Sequence, residues 1–73
     1  MAEILDVKGL LCPLPVLKAR KRLQALGTGD QLTLIATDPA AAIDVPHFCN
    51  ESGNRLVSQQ AEDDVLTFVI EKA

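Results

Sequence analysis

The sequence predicts an α/β (α+β) two-layer sandwich of order βαβαββ, with two helices on one face of a mixed four-stranded sheet. Three observations carry this. The chain has 73 residues, enough for one domain and one core, since so small a chain buries only about 60% of the surface it exposes when unfolded. Two segments with apolar residues at helical spacing alternate with short runs rich in Leu, Ile, Val and Thr. The last two such runs are joined by an acidic stretch, as in a hairpin. Strand–helix–strand units cross over right-handedly, which places both helices on one sheet face.

Ile4-Leu5-Asp6-Val7 reads as a short first strand, and Gly9-Leu10-Leu11 as the turn that delivers Cys12. The first helix is predicted from Pro13 to Leu26. Val16, Ala19, Leu23 and Leu26 share one side of it, and Lys18, Lys21 and Arg22 the other. Gly27 is a natural stop, followed by Gly29. Gln31 to Thr37 is the second strand. Asp38-Pro39 carries a helix start signal, an N-cap acceptor followed by proline at the first helical position. Pro46 removes an interior hydrogen bond, so the sequence predicts a short turn over 39–43 and a restart near Asp44, ending near Gly53. Arg55 to Gln60 and Val65 to Glu71 are the last strands, with Glu62-Asp63-Asp64 in the hairpin. In the final strand Val65, Thr67 and Val69 alternate with Leu66, Phe68 and Ile70. Both faces are fairly apolar, so this strand belongs in the middle of the sheet. No repeat, linker or low-complexity stretch interrupts residues 1–73, which read as a single domain.

Apolar residues make up 48% of the chain and aromatic ones 3%, so the core is aliphatic, with Phe48 and Phe68 its large rings. Cys12 and Cys49 are too few for a disulfide framework, and no paired C-x-x-C spacing suggests zinc. Reduced thiols fit a cytoplasmic protein. No apolar run approaches the roughly 20 residues that cross a bilayer, and Met1-Ala2-Glu3 does not open a signal peptide. No membrane partner is expected. Net charge is −3, from +2 over residues 1–37 (five basic, three acidic) and −5 over residues 38–73 (two basic, seven acidic). The basic excess lies in Lys18, Arg20, Lys21 and Arg22. These either form a docking surface for an acidic partner protein or are a solvated helix face. Direct nucleic-acid binding is not expected, because the domain is acidic and no aromatic residues interleave with the bases.

The motif that carries chemistry is Cys12-Pro13-Leu14-Pro15 at the predicted strand-to-helix junction. Free backbone N–H groups and the positive end of the helix dipole favour thiolate there. The motif is a C-x-x-C with its second cysteine replaced by Pro15, so no neighbouring sulfur resolves the first. A lone activated cysteine can hold a cargo, and a persulfide sulfur is the obvious candidate. Pro13 and Pro15 fix the backbone where amides lack intrahelical partners anyway. Leu14 and Val16 are then the nearest amide donors, and Lys8 and Lys18 the nearest cations. Against this stands a buried Cys12 acting as a small apolar residue.

Cys49 reads as a core cysteine, with a resolving thiol or an accessory sulfur site as the alternative. His47 reads as a solvent-facing helix residue, with general-base duty as the alternative. Asp6, Asp38 and Asp44 are explained by turns and caps, and Glu62, Asp63 and Asp64 by a solvated hairpin tip. No phosphate loop, metal-ligand cluster or catalytic triad pattern is present, so neither metal nor cofactor is expected.

Asp6, Gly9-Leu10 and Cys12-Pro13-Leu14-Pro15 resemble the opening signature of the TusA/SirA-like sulfur carriers, with TusA nearest in pattern. Lys18, Gly29, Asp38-Pro39, Asp44-Val45-Pro46, Phe48 and Gly53 follow in that family's order, so the likeness spans nearly the whole chain. The resemblance implies the two-layer sandwich and a persulfide on Cys12. It implies a cysteine desulfurase or rhodanese as sulfur donor, and an acceptor cysteine on a downstream protein such as a DsrE/TusD-like one. The pathway it implies is tRNA thiolation, molybdenum cofactor synthesis or sulfur oxidation. Such a carrier works within a sulfurtransferase relay rather than as a stand-alone enzyme, and a monomer suits it. Two other readings stay open: a thiol redox protein pairing Cys12 with Cys49, and a regulatory interaction module in which Cys12 is incidental.

Overall fold

The computed structural model describes residues 2–73. Its elements are β1 (Ala2–Asp6), α1 (Leu14–Gln24), β2 (Gln31–Ala36), α2 (Ala41–Ser52), β3 (Arg55–Glu62) and β4 (Val65–Glu71). The sheet order is β1-β2-β4-β3. β1 and β2 are parallel, and β4 runs antiparallel to both of its neighbours. The fold is the expected βαβαββ sandwich with a mixed sheet, and β4 is central.

The pleat sorts the residues. Leu32, Leu34 and Ala36 of β2 and Phe68 and Ile70 of β4 are fully buried on the helix side. Leu34 pairs across with Phe68, so the largest core side chain sits beside the mid-strand leucine. The helices meet this layer with Ala19 and Leu23 from α1 and Ala41, Val45 and Cys49 from α2. These positions are four apart within each helix, one stripe per helix. The other sheet face carries Thr33, Ile35, Thr67 and Val69, all half-buried, and the exposed Ile4. In β3 a bulge between Leu56 and Ser58 turns Val57 outward.

Several predicted boundaries shift: β1 spans Ala2–Asp6 rather than Ile4–Val7, β2 ends at Ala36 rather than Thr37, and β3 runs on to Glu62, which pairs with Val65 instead of lying in the hairpin turn. α1 stops at Gln24 rather than Leu26, because the Ala25 and Leu26 amides tighten onto the Arg22 and Leu23 carbonyls at 3.1 Å each. This is a 3₁₀-type closing turn. The Gly27 amide that follows donates to Asp30 Oδ2 at 2.9 Å. A further correction concerns Pro46. α2 is one continuous helix from Ala41 with Pro46 inside it, not a turn and a restart. Proline deprives the carbonyl four residues back, Ala42, of its donor. Gln59 Nε2, reaching over from β3, lies 3.5 Å from that oxygen. At the far end Gly53 takes the left-handed conformation (φ 79°) that closes the helix, a geometry glycine reaches without a side-chain clash.

Candidate functional site

Cys12 lies at the end of a loop pinned at several points. The Lys8 amide donates to Asp6 Oδ1 at 2.9 Å, and the Leu10 amide to the Val7 carbonyl at 3.1 Å. Gly9 adopts φ +84° in this turn, where a side chain is strained. Its amide donates to Thr37 Oγ1 at 2.9 Å. The Cys12 amide donates to Asp38 Oδ2 at 2.6 Å, and the other Asp38 oxygen accepts from Ala40 at 3.1 Å. Thus Thr37 and Asp38, at the end of β2, tie the cysteine loop to the entry of α2. Asp38 does not cap α2 in the predicted sense. Ala40 occupies the N-cap position without a side-chain cap, and Asp38 serves the turn ahead of it.

Pro13 is the N-cap of α1, and its carbonyl accepts the Leu17 amide at 3.1 Å. Pro15 is buried in the first turn, and the Cys12–Pro13 peptide is cis. Leu14 does not offer its amide to the sulfur, as the sequence suggested; the Leu11 carbonyl takes it at 2.9 Å. Val16 contributes a half-buried side chain to the site.

The Cys12 thiol is exposed. It opens into a shallow groove of about 300 Å³ between α1 and α2, lined by Cys12, Pro13, Val16, Asp44, His47, Phe48 and Glu51. His47 Nε2 lies 3.8 Å from Glu51 Oε1 on the rim. The groove thus has an apolar floor and a polar edge made by α2.

The electrostatics reverse one expectation. Cys12 is raised above the ordinary thiol value, first through hydrogen bonding to the Asp44 carboxylate, then through desolvation and the charges of Asp44 and Asp38. Carboxylates beside a thiol favour its protonated form. The predicted cations are elsewhere. Lys8 Nζ sits 3.6 Å from Asp6 Oδ2, and Lys18 lines a separate groove with Leu5, Lys21, Arg22 and Ala25. Asp44, read from sequence as a cap, is therefore the site residue that sequence reasoning missed. Its signal was its place five residues before Cys49 on a helix whose apolar stripe faces the core, which turns Asp44 off that stripe.

The four bases of α1 do not form one patch. Lys18 and Lys21 are exposed on the β1 side, where Arg22 Nη1 is held 2.7 Å from Glu3 Oε1. Arg20 faces another groove with Phe48, Ser52 and Asn54. Cys49 is 3% exposed within the core, and burial pushes its thiol up. Such a thiol is poorly reactive. Among the described residues no group of three His, Cys, Asp or Glu side chains could hold a metal ion, and no helix is long and apolar enough to cross a membrane.

Comparison with known proteins places nearly the whole chain in one family. Residues 3–72 match the family model described as sulfurtransferase TusA. A protein of Neisseria meningitidis serogroup B is 44% identical over 70 residues, covering 96% of this chain and 95% of its own. The sulfur carrier protein TusA of Allochromatium vinosum is 42% identical over 69 residues, covering 94% and 91%. The crystal structure of a SirA-like protein from Desulfitobacterium hafniense superposes with a TM-score of 0.83 at 26% identity, covering 97% of this chain and 96% of that one. The chain belongs to the sulfurtransferase TusA family of sulfur carriers.

Proposed function

We propose that this protein carries sulfur as a persulfide on Cys12. A cysteine desulfurase or a rhodanese would load it, and a cysteine of an acceptor protein, of the DsrE/TusD-like kind, would unload it. The observation that supports this most is the exposed Cys12 thiol at a helix entrance, held by its own backbone and opening on a shallow groove rather than a substrate pocket.

The chemistry is exchange at sulfur. The Cys12 thiolate attacks the outer sulfur of the donor persulfide. A new S–S bond forms on Cys12, the donor's S–S bond breaks, and the donor cysteine leaves as a thiolate that takes up the displaced proton. The acceptor thiolate then repeats the step on the outer sulfur of Cys12, which leaves as thiolate. No net oxidant is consumed, and each attack requires an ionised sulfur with access to its target. The sulfur is cargo, and the relay uses no resident cofactor. The groove beside Cys12 admits a partner's extended segment, and the exposed Lys18 and Lys21, together on the β1 side of α1, give an acidic partner a second hold. The acceptor that takes the sulfur sets the pathway, whether tRNA thiolation, molybdenum cofactor synthesis or sulfur oxidation, and the relay belongs in the cytoplasm.

The buried Cys49 weighs against the redox alternative, since a core thiol is poorly placed to resolve an exposed one. The test is transfer of radiolabelled sulfur from cysteine through a desulfurase to this protein. Label that chases into an added acceptor thiol supports the carrier reading. Equal label on Cys12→Ser protein contradicts it.

A further inference from the structure

The two edges of the sheet differ. β3 is interrupted by the bulge between Leu56 and Ser58 and runs into the acidic tip at Glu62, Asp63 and Asp64. β1 pairs with β2 in continuous parallel register and contains neither bulge nor proline. Bulges, prolines and charges are what guard an edge against an added strand. We propose that the free edge of β1 is a docking site for an extended segment of a partner protein, one in which acidic and apolar side chains alternate. This deepens the hold that Lys18 and Lys21 give an acidic partner, and it rests on that reading.

Main-chain groups along a strand point alternately to its two sides. The Val7 amide donates to the Ile35 carbonyl at 2.8 Å, so Leu5 and Glu3, two and four residues earlier, also face β2. The N–H and C=O of Ile4 and Asp6 therefore point away from the sheet, where an added strand would pair with them. Beside Leu5, on the helix side of this edge, lies a groove of about 290 Å³ lined by Leu5, Lys18, Lys21, Arg22 and Ala25. Its cations are not equivalent. Arg22 is held by Glu3 at 2.7 Å. Lys18 and Lys21 are exposed and form no ion pair among the described residues. Residues three apart on a helix have Cβ atoms about 5–6 Å apart, and alternate residues of a strand lie roughly 6.5 Å apart. Two acids at alternate positions thus reach both lysines. The intervening side chains fall on the other sheet face, where Ile4 is 70% exposed. The remaining acid at this edge, Asp6, is matched by Lys8 at 3.6 Å.

A second copy of the chain does not suit the edge. Joining two β1 strands would set the lysines of one copy against those of the other. The helix-side residues of β3 are Leu56, Gln59 and Ala61, opposite Ile70, Phe68 and Leu66, and none is acidic.

The experiment uses Cys12→Ser protein, so that no thiol exchange intervenes, and a fluorescein-labelled peptide amide of sequence Glu-Val-Glu-Thr-Glu-Val. Binding is read by fluorescence anisotropy at low salt. The Kd should lie below about 1 mM and rise as salt is added. Lys18→Glu/Lys21→Glu should weaken binding at least about tenfold. A scrambled peptide of equal charge, Glu-Glu-Glu-Val-Val-Thr, should bind several-fold more weakly. Ile4→Pro removes an outward N–H that β2 does not use, so it should leave the fold in place, checked by circular dichroism, and weaken the peptide several-fold. Should that variant unfold, amide hydrogen exchange in the parent protein decides, since bound peptide should slow exchange at Ile4. Scrambled peptide binding equally well, or Ile4 exchange unmoved by bound peptide, overturns strand addition while the acidic-partner hold stands. No binding at about 1 mM, or binding indifferent to Lys18→Glu/Lys21→Glu, sinks both. Sulfur loading of Cys12, read separately by intact mass on the unaltered protein, tests the carrier reading alone.

Discussion

Asp38 Oδ2 accepts the Cys12 amide at 2.6 Å, joining two positions 26 residues apart in the chain. The Cys12 backbone is thus positioned by the residue that follows the neighbouring strand, not by its own helix. The same carboxylate holds the first free amide of the turn into α2, at Ala40.

Asp38→Ala removes both bonds. Each is a hydrogen bond to a charged acceptor, and losing such a contact costs about 2 kcal/mol. The variant should unfold at lower urea concentration, and Cys12 should load sulfur more slowly even where the protein remains folded. Asp38→Asn keeps one acceptor oxygen and should fall between the two. Urea unfolding and loading rates, measured on the same preparations, check both.

Cys49 makes stability depend on pH at the alkaline end. Its folded value is raised by burial, whereas an unfolded cysteine ionises near about pH 8.5. The buried thiol therefore contributes its full stability below about pH 8.5, and that contribution is lost as pH climbs through the folded value. In a Cys12→Ser background, the urea midpoint should drop between about pH 7 and about pH 10. Adding Cys49→Ala should flatten that drop while lowering stability at neutral pH through the cavity it leaves.

The β3–β4 hairpin turns on Asp63 and Asp64, with φ of 50° and 65°. Two successive positive φ values define a type I′ turn, whose preferred pairs end in glycine. Asp64→Gly should raise the unfolding free energy by roughly 0.5–1 kcal/mol, since it relieves left-handed strain and one of three adjacent acidic charges. A thermal melt that shows a lower midpoint for Asp64→Gly contradicts this.

Lys18 and Lys21 are exposed on one side of α1 and Arg20 on another. Should the donor dock through Lys18 and Lys21, the Lys18→Glu/Lys21→Glu double variant would slow desulfurase-driven loading, with the difference shrinking as salt is added. Loading by a small-molecule persulfide should be unchanged by the same pair.

The fold was legible because it depends on periodicity. The Ala19 and Leu23 stripe, the alternation around Phe68 and the acidic hairpin all repeat local patterns that the sheet then uses. Cys12 stood out in the sequence because C-P-x-P is a local motif, and the structure leaves its thiol exposed. What escaped depends on contacts distant in sequence. Pro46 signals a break, and only Gln59, on another element, offers the orphaned Ala42 carbonyl a partner. Asp38 and Asp44 look like caps, and only the packing of α2 beside the cysteine loop turns them toward the site. The expected lysines failed for the same reason. Lys8 is close to Cys12 in sequence but pairs with Asp6, and Lys18 points to the far side of α1.

The most direct measurement is the intact mass of the reduced protein after incubation with a cysteine desulfurase and cysteine, or with a rhodanese and thiosulfate, alongside Cys12→Ser and Cys49→Ser. The predicted result is a gain of one sulfur atom that reduction removes, absent from Cys12→Ser and retained by Cys49→Ser. No gain with either donor, or an internal disulfide in its place, would contradict Cys12 as a sulfur carrier.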